Sequence, residues 1–150
     1  MRAAAVVLVA IVGPLTTIAA AQPPTAARER VGHGLSIDTP AGWRVSYRHF
    51  TPRIDPIERF SLLRGEALIT LEERTGSGAT AGMPKRPDHF RVSGRPVALE
   101  CCALAGRPGW TIRFQDHGRA FYAYLYPSST APQMLLRILD SLRVRAYATL

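Results

Sequence analysis

The sequence predicts an antiparallel α+β domain in which a single β-sheet is packed by one C-terminal amphipathic helix. Three observations support this fold class. Short runs of alternating apolar and polar residues recur along the chain, as expected of half-buried strands. Turn-forming residues separate these runs, and one late segment places apolar residues at helical spacing. The only two cysteines are adjacent, so the core rather than a disulfide framework must hold the fold.

The first predicted strands come in pairs. Residues 35–38 and 43–47 alternate on either side of a turn that contains Pro and Gly, which indicates two short strands joined by a tight turn. Residues 59–63 and 67–72 form a second pair around Gly65. A second helix is the alternative for residues 55–64, where the pattern fits either structure.

The middle of the chain has the weakest pattern. Residues 74–87 hold three glycines and two prolines, which predicts a mobile surface loop. Residues 90–92 are expected to add a short edge strand, and residues 97–104 a more central one.

The clearest local signal is a hairpin within residues 110–126. Two alternating runs flank a turn that contains His117 and Gly118. One face of the second run is predicted to carry the apolar side chains of Phe121, Ala123 and Leu125. The opposite face is predicted to carry the side chains of Tyr122, Tyr124 and Tyr126.

Residues 131–142 predict the helix. Thr130 is a candidate N-cap with Gln133 at capping-box spacing, and Pro132 fits the first turn. The spacing i, i+3, i+4, i+7 predicts an apolar face made of Leu135, Ile138, Leu139 and Leu142.

The N-terminal residues resemble an export signal. Residues 1–21 combine Arg2, an uncharged apolar run and three alanines before Gln22, which predicts a cleaved signal peptide and a secreted or extracytoplasmic location. An uncleaved N-terminal membrane anchor is the alternative, because the uncharged run is close to the length of a spanning helix. Residues 22–31 are read as a flexible tether and residues 32–150 as a single α+β domain.

Several segments together carry a family likeness. Residues 34–43 (GLSIDTPAGW) and 138–144 resemble the opening and the close of Mog1/PsbP-type domains. Residues 86–90, 100–101 and 113–121 resemble short exported actinobacterial proteins of unknown function. The resemblance implies a curved antiparallel sheet flanked by helices. It implies an accessory or binding module and supplies no catalytic residues.

The charge is strongly positive. The net charge is +8, and all but one of the 19 basic residues are arginines, Lys85 being the exception. A coding bias towards arginine is the simpler interpretation of this balance, and attraction to an anionic surface such as phospholipid or wall polymer is the functional alternative. The arginines are spread along the chain without a block of like charges, and no nucleic-acid partner is predicted.

Catalytic, cofactor and metal sites are not predicted. The histidines His33, His49, His89 and His117 lack the spacing of a metal pair. The glycines of residues 76–81 resemble a dinucleotide fingerprint, but Gly82 and Pro84 prevent the helix that such a site requires. No nucleophile elbow or phosphate loop occurs, so the sequence does not predict an enzyme.

Two candidate sites remain. The first is a partner-binding face made of the three alternating tyrosines and two arginines: Tyr122, Tyr124, Tyr126, Arg113 and Arg119. A second core layer under another helix is the alternative for the tyrosines. The second candidate is the thiol pair Cys101 and Cys102, which could act in redox chemistry or link two chains, although a buried strand cysteine is the simpler interpretation.

The sequence therefore predicts a non-catalytic exported binding domain of the cell envelope. Its expected partner is an envelope protein or an anionic wall or membrane component. A thiol-dependent role through Cys101 or Cys102 is the alternative function.

Overall fold

The described part of the chain forms two antiparallel sheets and one helix. The structure is a computed structural model that describes residues 27–32, 34–50, 57–76, 78–99 and 105–146. The predicted signal peptide, His33, Cys101 and Cys102 lie outside these ranges. The described elements are β1 (Ala27–Gly32), β2 (Leu35–Thr39), β3 (Arg44–Phe50), β4 (Ile57–Arg64), β5 (Ala67–Arg74), β6 (Val97–Leu99), β7 (Arg107–Asp116), β8 (Arg119–Tyr126), α1 (Pro132–Asp140) and β9 (Arg143–Val144).

The strands divide into a small and a large sheet. The small sheet has the order β1-β2-β9, and the large sheet has the order β3-β4-β5-β8-β7-β6. All the named strand pairs are antiparallel. The α+β class with a C-terminal helix is thus confirmed, but two sheets replace the single sheet that was expected.

The division arises between β2 and β3. The predicted turn forms, with the Trp43 amide donating to the Pro40 carbonyl at 3.2 Å and Gly42 at a φ of 81°. The strands on its two sides do not pair with each other. β2 instead lies between β1 and β9, because its alternating residues Leu35 and Ile37 are buried in the same core cluster as the helix.

The second helix, considered for residues 55–64, is not present where the structure describes this segment. Residues 57–64 are strand β4. Its side chains alternate at period two, with Phe60 opposite Leu71 and Leu62 opposite Ile69 in the β4–β5 register, and all four are buried. A strand places every second side chain on the same buried face, whereas a helix would place residues 60 and 62 on different faces.

Helix α1 presents the apolar face that its sequence predicts. Leu135, Ile138, Leu139 and the following Leu142 are buried. The predicted Thr130 cap is absent: Ala131 occupies the N-cap position and makes no side-chain cap hydrogen bond. The C-terminal end is fixed by Ser141, whose hydroxyl donates to the Ile138 carbonyl at 2.6 Å and accepts the Asp38 amide at 2.9 Å.

The core lies between α1, the small sheet and one face of the large sheet, which we call the inner face. The hairpin predicted within residues 110–126 is confirmed as β7 and β8, with Phe114 opposite Phe121. Phe90 extends this aromatic group, since its ring centroid lies 4.8 Å from that of Phe114. Phe90 belongs to no strand, so the short edge strand expected at residues 90–92 is absent.

Part of the segment predicted as a mobile loop, residues 83–86, is hydrogen-bonded to β7. The Gln115 amide donates to the Pro84 carbonyl at 2.8 Å, and the Arg86 amide donates to the Gln115 carbonyl at 2.9 Å. The side chain of Met83 is buried, which anchors the segment to the rest of the protein. The strand predicted as central at residues 97–104 is the three-residue β6 at the sheet edge, and residues 100–104 lie outside the described ranges.

The predicted tether is in part a strand. Residues 27–31 belong to β1 and pair with β2, while residues 22–26 are not described. Arg28 and Asp38, which are opposite each other in this pair, form an ion pair at 2.7 Å. The backbone of a polar segment can complete a sheet without any apolar pattern, which is why the sequence did not predict β1.

Gly109 permits the close packing at the start of β7. A Cβ atom at this position would lie 2.5 Å from the Leu125 carbonyl oxygen and 3.2 Å from carbon atoms of Leu99 and Tyr126. We expect Gly109→Ala to lower the unfolding free energy by about 1–3 kcal/mol, since the backbone of β8 must move to admit the methyl group. Urea denaturation measures the change. Thr111→Ala, on the same strand at an exposed position, is the control, and equal stability of the two variants would contradict the expectation.

Candidate functional site

The face of the large sheet opposite the inner face, which we call the outer face, is organised in three rows that cross the strands. The registers of β3 to β8 place these side chains directly opposite one another. A charged row contains Arg48, Arg59, Glu72, Tyr122 and Arg113. A hydroxyl row contains Ser46, Ser61, Thr70, Tyr124 and Thr111. An apolar row contains Leu63, Leu68 and Tyr126.

A cleft of about 440 Å³ opens on this face over β3, β4 and β5. This volume lies in the range typical of small-molecule sites. The cleft crosses all three rows, so charged, hydroxyl and apolar groups line one continuous surface. Its lining includes Arg48, Arg59, Ser46, Ser61, Thr70, Leu63 and Leu68, with Arg107 and Glu66 at one end.

Two arginines face each other at the charged end of the cleft. Arg48 on β3 is the register partner of Arg59 on β4. Like charges directly opposite in a sheet destabilise the pair. Arg59 is held by Glu72, which accepts from its Nε at 2.8 Å and also from its Nη2. Arg48 is exposed and forms no ion pair with any described residue, so the positive charge at this end exceeds the negative.

The opposite end of the cleft is formed by Glu66 and Arg107. The Arg107 Nη2 donates to Glu66 Oε2 at 2.9 Å, and the Ser128 hydroxyl lies 3.2 Å from the same oxygen. The Arg107 hydrogen bond, followed by that of Ser128, lowers the pKa of Glu66. The Glu66 carboxylate is therefore charged and matched by a cation at neutral pH.

The floor between the two ends is polar. The hydroxyls of Ser61 and Thr70 lie 3.2 Å apart, and Thr70 is fully buried. A hydroxyl can both donate and accept a hydrogen bond, so this row suits a ligand with either kind of group.

The predicted tyrosines lie on the outer face, although they differ in exposure. Tyr122 and Tyr124 are half-buried, and the Arg74 guanidinium carbon lies 4.4 Å from the Tyr122 ring centroid. Tyr126 is only 2% exposed and packs with Leu68 and Leu99. Tyr126 is thus buried by residues of neighbouring strands and not by the second helix of the core-layer alternative, whereas Arg113 stands exposed opposite Tyr122.

Arg119 does not belong to the outer face, which corrects its assignment to the edge of the tyrosine face. The odd-numbered positions of β8 face the inner side, and Arg119 shares that parity with Phe121. Its Nε and Nη2 donate to the Glu73 carboxylate at 2.7 and 2.5 Å, and its Nη1 donates to the Arg145 carbonyl at 2.8 Å. Arg119 therefore links the large sheet to Arg145, which directly follows β9, a strand of the small sheet.

A second polar contact lies on the inner face next to this ion pair. The Tyr47 hydroxyl donates to the carboxylate of Glu58, which is buried and opposite Glu73 in the β4–β5 register. This hydrogen bond, with a smaller effect of burial, raises the pKa of Tyr47 to about 12. Tyr47 therefore stays neutral and remains a donor to Glu58 at physiological pH.

The histidines are dispersed in the part of the chain that the structure describes. His117 Nδ1 lies 2.7 Å from Asp116, and His89 Nδ1 lies 3.4 Å from Asp140. His33 and the side chain of His49 are not described. Among the described residues no group of three or more His, Cys, Asp or Glu side chains could hold a metal ion. The candidate thiols Cys101 and Cys102 lie outside the described ranges.

Arg48, Arg59 and Arg107 belong to no motif that predicts a binding site from the sequence alone. A usable signal was present in residues 44–48, where Arg, Ser and Arg alternate with Val45 and Tyr47. The opposition of Arg48 and Arg59 depends on the β3–β4 register. The sequence between the two strands, residues 51–56, contains no turn motif from which that register could be derived.

Comparisons with known proteins identify no relative. No family model, no curated protein and no solved structure matches the chain. Within the described residues, no helix has both the length and the apolar character needed to cross a membrane. The geometry of the outer face is therefore the basis for the function proposed below.

Proposed function

We propose that the protein is a non-catalytic, exported binding domain of the cell envelope that attaches to an anionic envelope component through its outer face. The observation that carries the proposal is the pair Arg48 and Arg59, which face each other across adjacent strands and line an open cleft. An anion between two guanidinium groups relieves their mutual repulsion and gains charge-assisted hydrogen bonds.

The surrounding surface supports an anionic partner. Arg44 and Arg113 are exposed on the same face, and the whole chain has a net charge of +8. Arginine presents a planar fork of donors that matches carboxylate and phosphate groups. The half-buried rings of Tyr122 and Tyr124 extend the face beside Arg113. Tyr122, Tyr124 and Arg113 belong to the predicted partner-binding face, and all three are accessible on the outer face.

Two features support binding rather than catalysis. The two carboxylates at the cleft, Glu66 and Glu72, are each hydrogen-bonded to an arginine, so neither is poised to take a proton from a substrate. No histidine or cysteine is among the described residues that line the cleft. The resemblance to Mog1/PsbP-type domains, whose better-known members are accessory or binding modules, points the same way.

Sedimentation of the purified protein with lipid vesicles tests the proposal. We expect binding to vesicles containing phosphatidylglycerol and none to vesicles of phosphatidylcholine alone. Binding should weaken between 0.1 and 1 M salt, because the screening length falls from about 10 Å to about 3 Å. A phosphate-bearing wall polymer, offered as competitor, reports whether the partner is a polymer instead of a lipid.

The matched variants are Arg48→Gln and Arg137→Gln. Both remove one exposed positive charge, but Arg137 lies on helix α1, on the opposite side of the large sheet. We expect Arg48→Gln alone to reduce binding. Equal losses in the two variants would show attraction by net charge without a site, and equal binding to both kinds of vesicle would remove the proposal.

A further inference from the structure

We infer that the cleft on the outer face holds a single phosphate-headed amphiphile, with the phosphate at Arg48 and Arg59 and an apolar chain on Leu63 and Leu68. The inference rests on the proposed function and names the ligand class of that same site. It is carried by the order of the three rows along β4 and β5.

The head-group position follows from the two opposed arginines. Arg59 is fixed by its two contacts to the buried Glu72, which orients its guanidinium beside the cleft. Arg48 stands directly opposite and is exposed, so it can close on a bound anion. A tetrahedral phosphate has enough acceptor oxygens for both guanidinium groups and for the neighbouring Ser46 and Ser61 hydroxyls.

The length of the ligand follows from strand geometry. Successive residues on one face of a strand are about 7 Å apart, so Arg59 and Leu63 are separated by about 13 Å along β4. Ser61 lies between them and faces Thr70. A ligand that runs from Arg59 to Leu63 therefore has an anionic end, a polar middle and an apolar end, and the ion pair of Glu66 and Arg107 lies beyond the apolar end.

The apolar end of the cleft offers a hydrophobic surface to the alkyl chain of a ligand. Leu68 is buried and packs with Leu99, Tyr126 and the half-buried Leu63. A cavity of about 150 Å³ accommodates benzene, so about 440 Å³ has room for a head group and a short alkyl chain. Free phosphate would fill only the charged end. A polymer of repeating phosphates has no apolar group to cover Leu63 and Leu68.

Calorimetric titration of the purified protein with octyl phosphate, kept below its micelle concentration, tests the ligand class. We expect saturable binding of one molecule per chain. Octyl glucoside has the same chain without charge, and inorganic phosphate has the charge without a chain; both should bind at least tenfold more weakly. Butyl and hexyl phosphate should give intermediate affinities on the unaltered protein, because each methylene contributes to burial.

Three variants locate the two ends of the ligand. Arg48→Gln should weaken octyl phosphate by about 10- to 100-fold, the effect of losing one hydrogen bond to a charged group. Arg137→Gln, at an exposed position of helix α1 away from the cleft, should bind as the unaltered protein does. Leu63→Ser should weaken octyl phosphate and leave inorganic phosphate unchanged. Urea denaturation of each variant verifies that it is folded.

The outcomes separate this inference from the proposed function. Salt-dependent binding to anionic vesicles or wall polymer without binding of octyl phosphate would overturn the amphiphile and leave the anion-binding domain standing. Equal affinities for octyl and inorganic phosphate would likewise overturn the apolar end. If neither vesicles, polymer nor octyl phosphate bind, both proposals are wrong.

Discussion

Replacing Arg119 with methionine should lower the unfolding free energy by about 3–5 kcal/mol, the usual cost of breaking a buried ion pair by removing one partner. The side chains of Arg119 and Glu73 are 1% and 0% exposed. The substitution leaves the Glu73 carboxylate in the core without its two guanidinium hydrogen bonds, and next to it in the register lies the buried Glu58. Chemical denaturation monitored by tryptophan fluorescence measures the loss.

Two further variants identify the origin of this effect. The double variant Arg119→Met with Glu73→Leu should recover most of the stability, because replacing both partners of a buried pair by apolar residues is often neutral or stabilising. Arg113→Met, at an exposed position of the same hairpin, should change the unfolding free energy by no more than about 0.5 kcal/mol. A double variant as unstable as Arg119→Met would show that the pair is not the cause.

Replacing Leu139 with alanine should lower the unfolding free energy by about 2–5 kcal/mol. Leu139 is fully buried in the cluster that joins α1 to both sheets. The substitution removes apolar contacts and leaves a cavity that a helix held at both ends by other leucines cannot easily fill. Thermal unfolding followed by circular dichroism gives the shift in Tm.

Met134→Ala is the matched control for the helix. It removes a side chain of similar volume from the same helix, but Met134 is 39% exposed whereas Leu139 is fully buried. We expect a change within about 0.5 kcal/mol, which separates the effect of the cavity from any effect of helix propensity. Similar losses in Leu139→Ala and Met134→Ala would mean that α1 contributes no specific packing.

The parts of the fold that the sequence predicts are those with local periodicity. Trp110 to Phe114 and Phe121 to Leu125 alternate around a turn of two residues, and this alternation determines both the pairing and the buried face. The leucines of α1 are predicted for the same reason, since helical spacing alone identifies the buried stripe. In the β7–β8 hairpin and in helix α1, the sequence pattern and the contacts it predicts involve residues that are close together in the chain.

The parts that the sequence does not predict depend on distant residues. The turn at residues 40–43 forms, yet its sequence carries no information on whether β2 and β3 pair or diverge. β1 and residues 84–86 are held through backbone hydrogen bonds, which leave no side-chain pattern. A turn-rich composition therefore predicts a loop even where the segment is bonded to a strand.

The candidate site shows the same division. Period two places Tyr122 and Tyr124 on the outer face, which alternation alone predicts. The burial of Arg119 could not be foreseen, because its partner Glu73 lies 46 residues away in the chain. The cleft itself requires three strands in register, so Arg48, Arg59 and Leu68 come together only when the whole sheet is assembled.

The pairing of β2 with β9 has a consequence for folding kinetics. The Asp38 amide and the Ser141 hydroxyl that link this region are 103 residues apart in the chain. Closing so long a loop carries an entropic cost before its contacts form, and such non-local topologies fold slowly. During synthesis the first hairpins can form early. Strand β2 cannot pair with β9, however, until the C-terminal residues have been made.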